Sequence, residues 1–358
     1  MMNPSTTIYR YRVDIIRNHL KVGEARTEAV TVRYDSTADV MRSMQCQVPC
    51  DGFNIQDIIE ITDHGRTRVR QSFDLFKDRI RPVIEIGGSE IPLGDFVVIA
   101  SPTTLISGRE YYNVEAYDET MILKQAKCVE RKYIPANTLY IDVITELLVE
   151  CGLSNIVHDE CDLRTTVDRE FEIGTAYLQI INTLLEEMAF APVHVGGDGA
   201  IHLQQKNIKY SADYTYTERN STIIDKLIKS TDLYNIPNVL IGYVSNPDIE
   251  KPLKYTRTNS DPSSKTSTWS RGYDVVSVYE LSDCPNIETL KAIIDQKYFE
   301  ATQATEKIEI ETMPDGPHEY NTYVSCSADG AEFLYEEVAW TLSFGGSLTH
   351  TLERKVFT

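Results

Sequence analysis

EVAWTLSFGGSLTHTLERKVF, residues 337–357, is the stretch on which the reading of this chain turns. Val338, Trp340, Leu342 and Phe344 alternate with polar neighbours, Gly345-Gly346 reverses the chain, and Leu348, His350, Leu352 and Arg354 alternate on the way back. Period-two alternation on both sides of a glycine pair predicts a strand, a tight turn and a strand with one buried face. Upstream, residues 233–245 (LYNIPNVLIGYVS) contain a further strand at 238–244. Between them lies an amphipathic helix from about Asn286, with Ser282 or Asp283 as its cap and Pro285 in its first turn, where a missing N–H costs little. Its stripe is Ile287, Leu290, Ile294, Tyr298 and Ala301. Strands at 307–311 and 320–327 complete a β unit, and the hairpin is expected to close it. The loop 256–271 (TRTNSDPSSKTSTWSR) is rich in Ser and Thr, has Trp269 as its one large apolar side chain, and is expected to be mobile.

The opening of the chain has the same texture. Tyr9, Tyr11, Val13 and Ile15 share one strand face, and a second run covers 29–34. Ser36 and Thr37 offer capping oxygens to a short helix with Val40, Met41 and Met44 on one side. Strands then return at 45–48, 55–61, 83–86, 96–100 and 111–116, separated by Asp51-Gly52, His64-Gly65 and Gly87-Gly88. From about residue 130 the period changes. Tyr140, Val143, Ile144, Leu147, Leu148 and Cys151 recur at three and four, with Asn137 or Thr138 placed to cap and Gly152 placed to stop the helix. A second helix starts at about Thr175, with Tyr177, Ile180, Ile181, Leu184, Leu185 and Met188 on its stripe, and ends before Pro192. The two stripes are expected to pack together through Val143, Leu147, Ile181 and Leu184, over a hairpin at 193–203. Residues 208–232 read as a polar connection with an apolar patch at 223–228.

Composition narrows the function classes. With 54 acidic against 35 basic residues the formal net charge is −19, which opposes a sequence-independent grip on phosphate backbones. No stretch approaches the roughly twenty apolar residues of a membrane span, and the first twenty residues hold no uninterrupted hydrophobic region of a secretory signal. Seven cysteines, at 46, 50, 128, 151, 161, 284 and 326, include no C-x-x-C pair, so reduced structural thiols are expected.

The candidate sites each have a plainer reading. A turn at Gly197-Asp198-Gly199 sets His194 opposite His202 and Val195 opposite Ile201; two histidines begin a metal site, but a third or fourth ligand is not evident, so an exposed polar face is expected. His158-Asp159-Glu160-Cys161-Asp162 lacks the spacing and central glycine of a calcium loop. Glu186-Glu187 and Glu336-Glu337 are neighbours that point apart, unlike carboxyls facing across a glycosidic bond, and read as polar faces. Cys50 and Cys326 read as small buried hydrophobes. There is no G-x-S-x-G elbow, no H-E-x-x-H and no G-K-[ST] phosphate loop. No catalytic, cofactor-binding or metal residue is assigned. Tyrosine outnumbers phenylalanine 21 to 10, which suits sheets that become protein interfaces.

A strand with a helical excursion before the final hairpin at 337–357, in a chain ordered β unit, α/β segment, β unit, resembles the baseplate hub family of contractile phage tails and phage-tail-like particles, including prophage and late-control tail hubs. The resemblance implies an α+β fold with two tube-like antiparallel β-barrel domains, each with one helix, separated by a small α/β domain. The first would cover 1–129, the insert 130–207, and a connection with the second 208–358. It further implies a non-enzymatic structural subunit, a homotrimer, assembled in the bacterial host cytoplasm and placed in the tail baseplate of a virion or tail-like particle. Its expected partners are the tail tube or tube-initiator protein, the central spike, baseplate wedge proteins and the tape-measure protein in a channel, with no sequence-specific nucleic acid and no membrane. A cell-wall-degrading tail enzyme with a dispersed carboxylate site, or a receptor- or glycan-binding tail protein, are the alternatives.

Overall fold

Alternation of apolar residues along 9–15, 30–34 and 44–48, with a denser apolar run at 80–86, is what sorts the first part of the chain into strands with a common buried face. The computed structural model describes the chain apart from residues 1–6, 57, 63–64, 70, 166–167, 189, 208, 218–222, 245–252, 282–286, 302–303, 329–330 and 357–358. It divides into two units. One comprises Met1–Ile224, Glu311–Phe333 and Glu337–His350; the other comprises Asp225–Ile310, Leu334–Glu336 and Thr351–Thr358.

In the first unit the strands form one open path: the first-unit parts of Leu348–Val356 and Ala331–Ser343, then Glu28–Asp35, Arg42–Pro49, Arg109–Asp118, Phe96–Ala100, Asp78–Ile86, Tyr9–Arg17, Leu20–Ala25 and Phe53–Ile55. The last third of the chain thus pairs with the first. Trp340 lies opposite Tyr34 and Leu342 opposite Val32 in an antiparallel register, and both enter the core of Val13, Ile15, Met44, Ile80, Ile84 and Phe96. Of the closing hairpin, Glu337–His350 thus falls in the first unit and 351–356 in the second. The Trp340 indole stacks on Tyr34 with ring centroids 5.9 Å apart, and this aromatic contact selects the N-terminal strand as the partner.

The short helix expected at 36–44 is absent. The Asp35 carboxylate accepts hydrogen bonds from Thr37 N and Thr37 Oγ1, a local turn that competes with helix initiation. Arg42 and Met44 then belong to a strand. The first helix, α1 (Thr120–Gln125), follows the β run instead.

Two longer helices, α2 (Tyr140–Glu150) and α3 (Tyr177–Glu187), appear where the three-and-four period places them. They bury Val143, Leu147, Ile181 and Leu184 in one core with Val195, Ile201 and Leu203 of the small sheet. That sheet joins Ile156–His158 in parallel, and His194–Val195 in antiparallel, to Ile201–Leu203. Gly152 ends α2 at φ +80°, a conformation that favours glycine. Neither Asn137 nor Thr138 caps it: Leu139 occupies the cap position, and the Thr138 hydroxyl donates to Pro135 O.

In the second unit, Val239–Val244 pairs antiparallel with Lys254–Thr258 and parallel with Val276–Leu281. Leu290 and Ile294 of α5 (Ile287–Ala301) cover Leu240 and Val244. A Cβ on Gly242 would stand 2.3 Å from Ile294 side-chain atoms, so glycine permits this approach. The cap and proline expected at 282–285 lie outside the described residues. The Ser/Thr-rich loop is tied down, contrary to expectation: Ser267 caps the one-turn helix α4 (Thr268–Arg271), Ser264 O accepts from Ser267 Oγ and Ser270 Oγ, and Arg271 Nη1 donates to Ile236 O. The polar connection also holds strands, at Tyr214–Tyr216 and Ile223–Asp232.

Candidate functional site

Within the first unit the segment 314–322 has a polar group on each side, and two sites meet along it. His318 enters the protein interior, while Pro317, Glu319 and Tyr320 line a cavity of about 370 Å³ with Pro92, His194, Gly196, Gly197, Asp198, His202 and Gln204.

The inner site is a chain of ionisable groups. His318 Nδ1–H donates to Glu337 Oε2 at 2.7 Å and His318 Nε2–H to Asp315 Oδ1 at 3.2 Å. His350 Nδ1–H donates to the other Glu337 oxygen at 2.5 Å, and its Nε2 accepts from the Thr312 hydroxyl at 2.7 Å. Tyr216 donates to Asp315 at 3.0 Å, and Tyr214 stacks on the His318 ring. His318, Glu337 and His350 are all buried. Carboxylate partners at both nitrogens favour His318 as an imidazolium, and a neutral His350 can donate from Nδ1 and accept from Thr312 at Nε2. Burial alone would depress His318, but Glu337 and Asp315 outweigh it and lift its pKa to about 9. Burial pushes Glu337 up, yet the two histidines hold it at about 2. His350 is lowered by burial, with the His318 charge adding to that effect against the pull of Glu337.

These three residues each bring one potential metal-ligand atom within 4.8 Å of the others. A buried structural zinc uses four ligands and an open catalytic one keeps a place for water. Here a closed interior supplies three, and their ring nitrogens already bond one another's carboxylate, Asp315 or Thr312. One carboxylate, one imidazolium and one neutral imidazole balance without an ion, so the arrangement suits a shared proton and a rigid clamp.

Arg42 fastens the same segment from the sheet side. It is 1% exposed. Its Nε donates to Val195 O at 3.0 Å, Nη1 to Leu93 O at 3.0 Å, and Nη2 to Glu319 Oε2. The guanidinium lies 5.4 Å from the Tyr34 ring and 5.7 Å from Trp340. A fully desolvated arginine is tolerable because most of its donors are matched by fixed acceptors and both aromatic faces.

At the cavity, the His194–His202 register is as the sequence predicts, with ring centroids 5.6 Å apart and nearly parallel planes. The expected exposed polar face is corrected: His194 is 4% exposed, because Tyr320 stacks on it at 4.5 Å. Its Nδ1–H donates to Pro192 O at 2.9 Å, and burial lowers its pKa to about 4. Glu337, expected on a polar face, is buried, whereas Glu336 is half-buried. Cys50, expected to be a buried hydrophobe, is exposed in the turn after Arg42–Pro49, while Cys326 is buried. Of the group at 158–162, Asp159 accepts from Gln205 N and the histidine ends a strand. Glu187 bonds Tyr140 and Arg169 on the surface of the helical core. The six described cysteines are free thiols, and no described helix is long and apolar enough to cross a membrane.

Arg42, Asp315 and His318 carry no sequence signal of their own, and Glu337 reads from sequence only as a polar face. The available signal was His350, a polar residue at an inward position between Leu348 and Leu352.

Neither a protein-family model nor a curated protein matches the sequence. Solved structures do match the fold. A tail protein from Neisseria meningitidis superposes with a TM-score of 0.64 at 11% identity, over 97% of this chain and 96% of that one. A prophage 43 kDa tail protein from Shewanella oneidensis gives 0.62 at 9% identity, over 97% and 98%. A chain of the half-lidded Francisella PdpA-VgrG complex gives 0.57 at 11% identity, over 98% of this chain and 58% of that one. The chain shares the mostly β, α+β fold of these proteins.

Proposed function

We propose that this chain is the hub subunit of a contractile-tail baseplate, joining the tail tube to the central spike as a homotrimer and catalysing nothing. The observation that carries this is the reciprocal near-complete coverage against the two tail proteins, 97% with 96% and 97% with 98%, since a shared module alone would match only part of each chain. Residues 1–129 and 208–358 would then be the two tube-like barrel domains and 130–207 the insert. Three chains would present six related positions around a channel carrying the tape-measure protein and then DNA. The net charge of −19 per chain supports passage of a polyanion without adhesion. Wedge proteins would bind the outer faces, and assembly would take place in the host cytoplasm.

The test is co-expression with tube and spike proteins of a contractile tail, followed by mass measurement and electron microscopy. Three copies between tube and spike are expected. Failure to trimerise with both partners present, or a channel lined by a continuous ring of Lys and Arg, overturns the reading. Release of peptidoglycan fragments by the purified protein would replace it with the enzymatic one.

A further inference from the structure

The cavity beside the 193–203 hairpin is lined by acceptors whose neighbouring donors are already engaged. Gly196 N donates to Ala200 O, Gly199 N to Gly196 O, Gly197 N to both Glu319 oxygens, and Ala200 N to Asp198 Oδ1. Gln204 Nε2 donates to His202 Nδ1, which directs the His202 Nε2–H toward Asp198 Oδ1 at 3.6 Å. His194 is 4% exposed, lines the cavity, and commits Nδ1–H to Pro192 O. Its Nε2 lone pair meets no hydrogen-bond donor among the described residues and opens onto the cavity rather than into the packed interior, so it is an acceptor that a ligand in the cavity can reach. The nearby cations are matched: Arg42 with Glu319, and Arg81 with both Asp95 oxygens. Asp198, 64% exposed at the rim, has the Arg81 guanidinium on its backbone carbonyl at 3.2 Å, but no Lys or Arg side chain among the described residues bonds its carboxylate.

We propose that this cavity receives an arginine side chain from a partner protein. A guanidinium brings donors in a plane to a site that offers His194 Nε2, the second Asp198 oxygen and the free lone pairs of Glu319. Its charge offsets Asp198, and its flat faces match the His202 and Tyr320 rings and the proline walls. An ammonium has no plane to stack and is more strongly hydrated, so lysine fits less well. Gly196 and Gly197 keep the space open, since a Cβ on Gly196 would stand 2.6 Å from His202 Nε2 and one on Gly197 2.6 Å from Glu319 Oε1. The site is independent of the hub reading, because a chain that never trimerised would still bind this ligand.

The experiment uses the full chain with ring-nitrogen-labelled histidine, titrated with N-acetyl-arginine amide and followed by nuclear magnetic resonance. Saturable shifts of the His194 and His202 signals are expected, with binding weakened about tenfold in Asp198→Asn, where one charge-assisted bond is lost. Asp198→Asn retains the oxygen that accepts Ala200 N, so the turn should persist, and an unchanged melting temperature checks this. Binding of N-acetyl-lysine amide should be weaker. Absence of saturation, equal affinity in Asp198→Asn, or lysine binding as tightly as arginine would each overturn the proposal. His194→Phe gives a second route: it removes the acceptor and occupies the cavity, and arginine binding that survives it is equally fatal to the idea.

Discussion

Between α2 and α3 the protein buries leucine, isoleucine and valine, and across 120–203 His194 is the one buried acidic or basic side chain among the described residues. The core of the large sheet is different. It packs the same kinds of apolar residue around Arg42 and, at the end where the chain closes, the His318–Glu337–His350 group. The helical core joins residues close in sequence and needs shape alone to specify its partner. The sheet core must hold segments as distant as Arg42 and Glu319, 277 residues apart. Directional, charge-matched bonds accept only one such arrangement, which apolar contact by itself does not enforce.

If that contrast is right, a charge put into the helical core should do the most damage. Leu147→Asp buries an unpaired carboxylate between α2 and α3 and should cost about 4 kcal/mol or more, melting this region first. Thermal unfolding followed by hydrogen exchange checks it, and a parent-like melt would show that this face is not a core.

Removing a charge from the sheet core should come next. Glu337→Gln leaves His318 without its main counter-charge and should cost about 3 kcal/mol in urea unfolding. A neutral result would mean that the polar group is dispensable and that the two cores are energetically alike.

The pH dependence sharpens the same point. His318 is raised from its unfolded value near 6.5 to about 9, so its contribution is complete below about pH 6.5 and is lost as pH rises toward 9. His194, lowered to about 4, acts in the opposite sense, its contribution being present above about pH 6.5 and lost as pH falls toward 4. Urea stability should therefore fall on both sides of neutrality, the alkaline limb approaching about 1.4 kcal/mol per pH unit for the one proton of His318, with lowered His350 and Glu337 adding to the acid limb. Glu337→Gln should flatten the alkaline limb and His194→Phe should reduce the acid one. An alkaline limb that survives Glu337→Gln would assign it to other groups.

The smallest effect belongs to the surface. Lys132 and Glu150 pair at 2.6 Å on the outside of the helical core, and Lys132→Ala should cost less than about 1 kcal/mol. A larger loss would make exposed charge, rather than apolar packing, the support of that region.

What the sequence made legible follows the same division. The stripes of α2 and α3, the 193–203 hairpin and the closing hairpin could be read because each signal is periodic and local. The inner site could not be read, because Glu337 is 19 residues from His318 and 13 from His350, with no fixed spacing to mark a motif. Strand phase also misled. Glu337, Trp340 and Leu342 are all buried, so the inward face steps by three before it steps by two. Counting back by twos from Trp340 places Val338 inside and Glu337 outside. The loop at 256–271 was misjudged on composition: its hydroxyls serve as internal acceptors and donors rather than as hydration sites.

The pairing of Ala331–Ser343 with Glu28–Asp35 also sets a clock for biosynthesis. Thr31 bonds Ser343 across 312 residues of chain. Arg42–Pro49 can cover one side of the N-terminal strand as soon as it emerges, but the other side waits for about 300 further residues. At ribosomal rates of about 5 to 20 residues per second, that edge stays open for roughly 15 to 60 seconds. Throughout that interval each nascent chain carries an unpaired strand edge, a template on which a neighbouring chain can pair.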